Sequence, residues 1–169
     1  MSEEIEQRVI QVLDALGAAY EVVPIDPAAA DTAEFCARYG FPLDHAGNTI
    51  ICASKKEPKQ YSACVVLATT RLDVNHTVRR LMAGARLSFA GADETQALTG
   101  MTIGGVTVFA LPAHVPIYVD ERLMSLDYVI LGSGSRSSKI KIAPELLRGL
   151  PNASIVSGLA IDGQPGHAA

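Results

Sequence analysis

Two β-rich stretches in the middle of the chain constrain the fold most, because together they predict the centre of a sheet. Residues 48–54 and 61–69 are rich in β-branched and apolar side chains, and the polar residues 55–60 separate them. They predict two adjacent antiparallel strands with Lys55 and Lys56 in a solvent-exposed turn. Residues 63–68 are apolar without alternation, a pattern typical of a strand covered on both faces. We therefore expect a sheet with other elements packed on each side.

Helices and further strands are predicted around this hairpin. Apolar periodicity, capping residues and terminal glycines predict helices over 2–16, 31–39 and 93–99, and shorter ones beginning at Asp73 and Pro144. Short apolar runs between turn residues predict strands over 20–23, 87–90, 106–111, 117–119, 128–131 and 139–142. Strands and helices do not alternate strictly, so the predicted class is α+β, a curved mixed β-sheet with surrounding helices.

The length of 169 residues, with 49% hydrophobic content, is that of one domain with one sizeable core. Because the structural signal weakens beyond residue 150, we expect a single domain over 1–160 and a flexible tail over 161–169. The start carries Glu3 and Glu4, unlike the basic start of a signal peptide, and no apolar run approaches the roughly 20 residues that span a bilayer. These features predict a soluble, cytoplasmic protein with no membrane partner.

The cysteines and histidines lack the spacing of a disulfide framework or a zinc site. Three cysteines are an odd number, which predicts free buried thiols and no bond between Cys52 and Cys64. The four histidines lie far apart, and no CxxC, HxxxH or HExxH pattern is present. We therefore expect no metal and no cofactor.

The charge balance limits the kind of nucleic-acid contact. The chain has 14 basic and 18 acidic residues, a formal net charge of −4. A protein that grips a nucleic-acid duplex needs a large basic surface. Any contact with RNA should therefore be small and local, such as contact with one end of a tRNA.

A glycine- and serine-rich run over residues 132–139, with the sequence GSGSRSSK, follows an apolar stretch. Such a run can direct several backbone N–H groups at one anion. The glycines of a P-loop or a dinucleotide-binding motif precede a helix, whereas residues 139–142 alternate like a strand. Two interpretations stay open: a tight hairpin turn that needs positive φ, and a loop that contacts phosphate.

A pair of glycines, Gly104 and Gly105, precedes the predicted strand over 106–111. Glycines there allow a ligand to approach backbone N–H groups closely, which is the geometry that an oxyanion needs. The alternative is a bulge at the entry of a strand. Catalysis by a serine nucleophile is not supported, because no GxSxG pattern is present.

Several short motifs occur in an order that points to a family. Residues 71–74 read RLDV, 98–100 LTG, 104–107 GGVT, 111–112 LP and 115–120 VPIYVD, and GSG at 132–134 precedes Arg136. Over roughly residues 5–150 this order resembles that of the YbaK/EbsC family of aminoacyl-tRNA editing proteins. The family is similar to the editing domain associated with prolyl-tRNA synthetase.

The resemblance implies an activity, partners and a site. Its free-standing members hydrolyse the ester of a mischarged tRNA in trans, so the implied partners are the tRNA acceptor end and, as a further candidate, an aminoacyl-tRNA synthetase. In the family, backbone donors hold the aminoacyl group, and a ribose hydroxyl of the substrate helps to position water, so no side-chain triad is required. The implied catalytic positions are Asn48, Gly104 and Gly105. The implied substrate-binding positions are Val106, Thr107, Val108, Gly132, Gly134, Arg136 and Lys139.

Three departures from the family pattern bear on activity. Asn48 stands where the family usually has a lysine, Val108 and Ala110 replace a proline and a glycine, and Lys139 stands where some members carry an acid. We expect Lys139 to supply the missing cation; the alternative is an ordinary solvent-facing lysine.

Two functions remain open at this point. One is a deacylase that acts in trans, and the other is a non-catalytic binding protein of the same fold that holds a nucleotide, an aminoacyl ester or a synthetase partner. The deacylase predicts that Asn48 and Gly105 border one pocket. It also predicts that Gly105→Ala abolishes turnover at a stability cost of only about 1 kcal/mol.

Overall fold

The computed structural model describes residues 2–17 and 19–163, so residues 164–169 of the predicted tail lie outside the described residues. The α-helices are α1 (Ser2–Ala15), α2 (Thr32–Tyr39), α3 (Arg79–Leu81) and α4 (Ala92–Thr99). Short 3₁₀ helices cover Pro27–Ala29, Leu43–His45, Glu121–Ser125 and Pro144–Gly149. The strands are β1 (Tyr20–Pro24), β2 (Gly47–Ser54), β3 (Tyr61–Leu67), β4 (Thr70–Leu72), β5 (Leu87–Phe89), β6 (Ile117–Asp120), β7 (Val129–Gly132), β8 (Ser138–Ile142), β9 (Ala153–Val156) and β10 (Ala160–Asp162).

The predicted central hairpin is confirmed. Strands β2 and β3 pair antiparallel from Gly47 opposite Leu67 to Ala53 opposite Tyr61. They form the middle of a five-stranded sheet with the order β5-β2-β3-β6-β9, in which β3, β6 and β9 run parallel to one another. The sheet is therefore mixed, and the predicted α+β class is confirmed.

Both faces of the central strands are covered, as the unbroken apolar run of β3 predicted. Val65 packs in a large cluster with α1 and the loop after α4, whereas Cys64 packs in a second cluster with α3 and β10. Alternate side chains of a strand point to opposite faces, so successive residues of β3 enter different clusters. Cys52 and Cys64 are buried free thiols, as predicted.

Two smaller sheets lie beside the central one. Strands β1, β8 and β7 form an antiparallel sheet, and β4 pairs with β10. In the first of these, β7 and β8 pair from Val129 opposite Ile142 to Gly132 opposite Lys139. The glycine- and serine-rich run therefore forms the turn of a hairpin, which confirms the first of its two interpretations.

The predicted strand over 106–111 is wrong. This segment is an irregular loop in which Ala110 has a φ of 65°, a left-handed conformation that interrupts an extended chain. Val106, Val108 and Phe109 are nonetheless buried in the large core cluster. An apolar run that fills a core without strand partners looks like a strand in the sequence, and only the tertiary packing separates the two. The helix predicted from Asp73 begins instead as a π-helical turn over Val74–Val78 and continues as α-helix only in α3.

The sequence analysis missed the two strands after residue 150. β9 extends the central sheet by pairing with β6, and β10 runs two residues past the predicted domain end at 160. Both are short, and β9 shows no clear alternation of apolar and polar residues. Leu159, just before β10, is fully buried in the second core cluster.

Leu159→Ala tests whether this last segment is an integral part of the domain. Removing a fully buried leucine side chain should lower the free energy of unfolding by about 2–5 kcal/mol, measured by urea denaturation. The matched control is Ile161→Ala two residues away, where the side chain is 36% exposed and the loss should stay below about 1 kcal/mol. Equal losses in the two variants would show that the segment packs loosely.

Candidate active site

The double-glycine loop packs directly against the turn of the β7–β8 hairpin. The N–H of Gly134 donates to the carbonyl of Gly105 at 2.7 Å. A β-carbon on Gly105 would lie 2.3 Å from the carbonyl oxygen of Ser135, and one on Gly132 would lie 2.5 Å from that of Val106. The two glycine-rich segments therefore form one closed contact, which we call the loop junction (residues 103–106 and 132–136).

This packing confirms that Gly105 occupies a position that a β-carbon would obstruct. The expected stability cost of about 1 kcal/mol for Gly105→Ala is too low, however, because the obstructing atoms belong to the backbone of Ser135 and not to a flexible side chain. Overpacking of this kind costs up to about 3 kcal/mol. Loss of turnover in that variant would therefore not separate a catalytic role from a structural one.

Lys139 closes the loop junction from below. Its side chain is buried at 5% exposure, its Nζ donates to the carbonyl of Gly104 at 2.7 Å, and it lies 5.7 Å from the centre of the Phe35 ring. Burial lowers the pKa of Lys139 to about 8, and the neighbouring charge of Arg136 adds to this effect. The interpretation of Lys139 as a solvent-facing lysine is wrong, and its ammonium points toward the double-glycine loop.

Arg136 ties the loop junction to the start of α2. Its guanidinium donates to the carbonyl of Ile103 at 3.0 Å and to the carboxylate of Asp31 at 3.1 Å. It also donates to the carbonyl of Pro27 at 3.0 Å. A nucleotide would have to displace some of these contacts in order to reach the guanidinium.

The start of α2 connects Asn48 to the same assembly. The hydroxyl of Thr32 donates to Oδ1 of Asn48 at 2.5 Å, and the preceding residue, Asp31, holds Arg136. The sequence analysis took Asp31 for a helix cap, but its side chain makes no capping hydrogen bond. Asp31 and Thr32 are therefore site residues that the sequence analysis missed, since a capping pattern accounted for both of them.

The backbone of the double-glycine loop offers a limited set of hydrogen-bond donors. The N–H of Gly105 is engaged, because it donates to the carbonyl of Thr102 at 2.8 Å. Within residues 2–17 and 19–163, no acceptor takes the N–H of Gly104 or of Val106. These two groups on either side of Gly105 are thus the donors that the loop has available for a ligand oxygen.

The three residues after the double glycine are all buried. Val106 and Val108 pack in the core cluster, so their side chains fill the core and do not line the open cleft described below. Thr107 is fully buried, and its hydroxyl has no hydrogen-bond partner in the described part of the chain.

An open cleft of about 450 Å³ lies on the other side of Asn48. Its lining residues come from β2, β3, β4, β5, β10 and the π-helical turn, and they are Asn48, Ile50, Val66, Thr70, Arg71, Leu72, Asp73, Val74, Asn75, His76, Leu87, Ser88, Phe89 and Ile161. Gly105 is not among them, so the prediction that Asn48 and Gly105 share one pocket is wrong. Asn48 instead separates the cleft from the loop junction.

Metal chemistry finds no support in the described residues. Among them, no group of three or more histidine, cysteine, aspartate or glutamate side chains is placed to hold a metal ion. The described chain likewise contains no helix of the length and apolar character that crossing a membrane requires.

Comparison with known proteins identifies relatives of this arrangement. The profile of the aminoacyl-tRNA editing domain family matches residues 26–150. The crystal structure of a hypothetical protein, APE2540, is 26% identical with a TM-score of 0.80, and the match covers 91% of this chain and 99% of the other. A second structure, described as "a putative trans-editing enzyme for prolyl tRNA synthetase", is 23% identical with a TM-score of 0.78 and coverage of 94% and 98%. No curated protein matches the chain significantly.

The buried ammonium of Lys139 makes a prediction about the pH dependence of stability. Its pKa is about 8 in the folded protein and near its ordinary value of about 10.5 in the unfolded chain. Between these values the unfolded state binds more protons, so the free energy of unfolding rises with pH. Wild-type protein should gain about 3 kcal/mol of stability relative to Lys139→Met between about pH 7 and pH 10.5, as measured by urea denaturation.

Lys141→Met is the matched control, because Lys141 lies on the same strand but is only partly buried. Its stability relative to wild type should change little over the same pH range. A difference between wild type and Lys139→Met that is independent of pH would contradict the burial of a charged amine at this position.

Proposed function

Because this chain belongs to the aminoacyl-tRNA editing domain family, we propose that it is a trans-acting deacylase that hydrolyses the ester bond of a mischarged tRNA. The observation that carries the proposal is the convergence of the two glycine-rich segments, Lys139 and Asn48 around the first turn of α2. Elements far apart in the sequence meet there, at the boundary of an open cleft. The proposed substrate is the 3′ end of an aminoacylated tRNA, and a cytoplasmic location follows from it.

The reaction requires water to add to the ester carbonyl carbon, after which the bond to the ribose oxygen breaks. The carbonyl oxygen gains negative charge in the transition state, and preorganised N–H donors stabilise that charge. The N–H groups of Gly104 and Val106 are the available donors in this chain. The ribose oxygen leaves with a proton, and the amino acid is released as its carboxylate.

Asn48 and Lys139 have separate roles in this scheme. The amide of Asn48 borders the cleft, while its Oδ1 is held by Thr32, so its NH₂ group is the part that remains to donate to a ribose or phosphate oxygen. Lys139 holds the carbonyl of Gly104 and thereby fixes the orientation of the loop. Its positive charge also favours negative charge near the loop junction.

A second candidate, a binding protein without catalysis, is favoured by the closure of the loop junction. Lys139 occupies the carbonyl of Gly104, and the N–H of Gly134 occupies that of Gly105. If the junction stays closed when RNA is bound, the ester cannot approach the loop. The chain would then hold an aminoacyl ester, a nucleotide or a synthetase partner in the cleft.

A deacylation assay separates the two candidates. The full-length protein is incubated with a panel of aminoacylated tRNAs, and the release of free amino acid is measured against the spontaneous rate. We expect accelerated release for one or a few amino acids. Asn48→Ala should slow that release about tenfold or more, because a hydrogen bond to a charged substrate is lost.

Cys52→Ala is the control for this variant, since Cys52 is a small buried side chain on the same face of β2. It should retain the wild-type rate. If no aminoacyl-tRNA is hydrolysed above the spontaneous rate, while the protein still retains aminoacyl-tRNA on a filter, the deacylase proposal fails and the binding protein is favoured.

A further inference from the structure

The open cleft has a basic flank that contrasts with the rest of the chain. Residues 71–90 carry four arginines and one aspartate, in a protein with a formal net charge of −4. The backbone N–H of Lys55 donates to the carbonyl of Arg86 at 2.9 Å, which brings the basic β2–β3 turn beside this segment. A local positive charge in an acidic protein indicates a local polyanionic ligand.

Arg71 is the cation that lines the cleft itself. It is exposed, and no acidic side chain in residues 2–17 and 19–163 forms an ion pair with it. The one carboxylate in the lining, Asp73, already accepts hydrogen bonds from Thr77 at 2.9 Å and from His76 at 3.1 Å. Arg71 therefore offers an uncompensated charge at the edge of the cleft.

The opposite walls of the cleft carry two exposed apolar side chains. Phe89 on β5 is 37% exposed, and Ile161 on β10 is 36% exposed. Ile161 is the register partner of Arg71, so the cation and the apolar group lie side by side on paired strands. An aromatic face beside a cation is the combination with which proteins bind unpaired nucleotides, the base stacking on the ring and the phosphate meeting the cation.

The register of β5 directs the cleft toward the loop junction. Phe89 pairs with Cys52, four residues along β2 from Asn48 and on the same face, which corresponds to about 13 Å along the strand. An RNA end with a base at Phe89 would thus continue along β2 toward Asn48. A free mononucleotide would occupy only part of that length.

We propose that this cleft binds an unpaired nucleotide of a single-stranded RNA end, with its base stacked on Phe89 and its phosphate at Arg71. This inference rests on the proposed function, since it identifies the nucleotide subsite of the same substrate. It replaces the nucleotide contacts that the sequence analysis assigned to Gly132, Gly134 and Arg136, because those residues are engaged in the loop junction.

The test measures binding of a fluorescently labelled, single-stranded RNA that ends in CCA and carries no amino acid. Fluorescence anisotropy with full-length protein is recorded over a range of salt concentrations. Phe89→Ala should weaken binding about tenfold or more without changing the salt slope, whereas Phe89→Tyr, which keeps the aromatic face, should bind like wild type. Arg71→Gln should reduce the slope of log K against log salt by about 0.7, the effect of one phosphate contact on a single strand.

Two control variants remove similar groups elsewhere. Leu43→Ala removes an apolar side chain that is 38% exposed, and Arg148→Gln removes an exposed arginine of the Pro144–Gly149 helix; both should bind RNA like wild type. Because the RNA carries no ester, the result does not depend on hydrolysis, and an active deacylase whose Phe89→Ala and Arg71→Gln variants bind normally would overturn the inference alone. Absence of RNA binding, or AMP binding as tightly as the RNA, would also overturn it.

Discussion

The hydrogen bond from the buried ammonium of Lys139 to the carbonyl of Gly104 is the contact on which the candidate site depends. A lysine is rarely buried, because leaving water costs its charged form several kcal/mol unless polar partners compensate. Here the compensation comes from a backbone carbonyl and from the face of the Phe35 ring. The double-glycine loop is held in place by the same contact, so the loop conformation and the charge are coupled.

The first turn of α2 joins this contact to the rest of the site. Asp31 holds Arg136 on one side, and Thr32 holds Asn48 on the other. Asn48 then forms the boundary between the closed loop junction and the open cleft. The site thus has two parts with different properties: a packed part with a buried cation and backbone donors, and a solvent-filled part with an arginine and an aromatic side chain. An ester linked to an RNA end needs both kinds of surface, one for the carbonyl and one for the nucleotide.

Local patterns in the sequence predicted the central hairpin, the β7–β8 turn and most helices, because periodicity and turn residues determine them. The same patterns failed for residues 106–111, where an apolar segment fills the core as an irregular loop, and for β9 and β10, which are too short to show a pattern. The importance of the glycine pair was predictable, but its partner was not: the obstructing backbone belongs to Ser135, thirty residues away. Likewise, no local signal shows that Asp31 contacts Arg136 or that Phe89 and Arg71 line one cleft, since those contacts arise only when distant elements pack together.

A crystal structure with a non-hydrolysable analogue, an aminoacyl group joined by an amide to the 3′ position of adenosine, tests the central claim most directly. The account predicts that the amide carbonyl accepts hydrogen bonds from the N–H groups of Gly104 or Val106, with the ribose beside Asn48. It also predicts that the contact between Lys139 and the double-glycine loop is kept or exchanged for the ligand. An analogue bound away from Asn48, with the loop junction unchanged, would contradict the assignment of this site to ester hydrolysis.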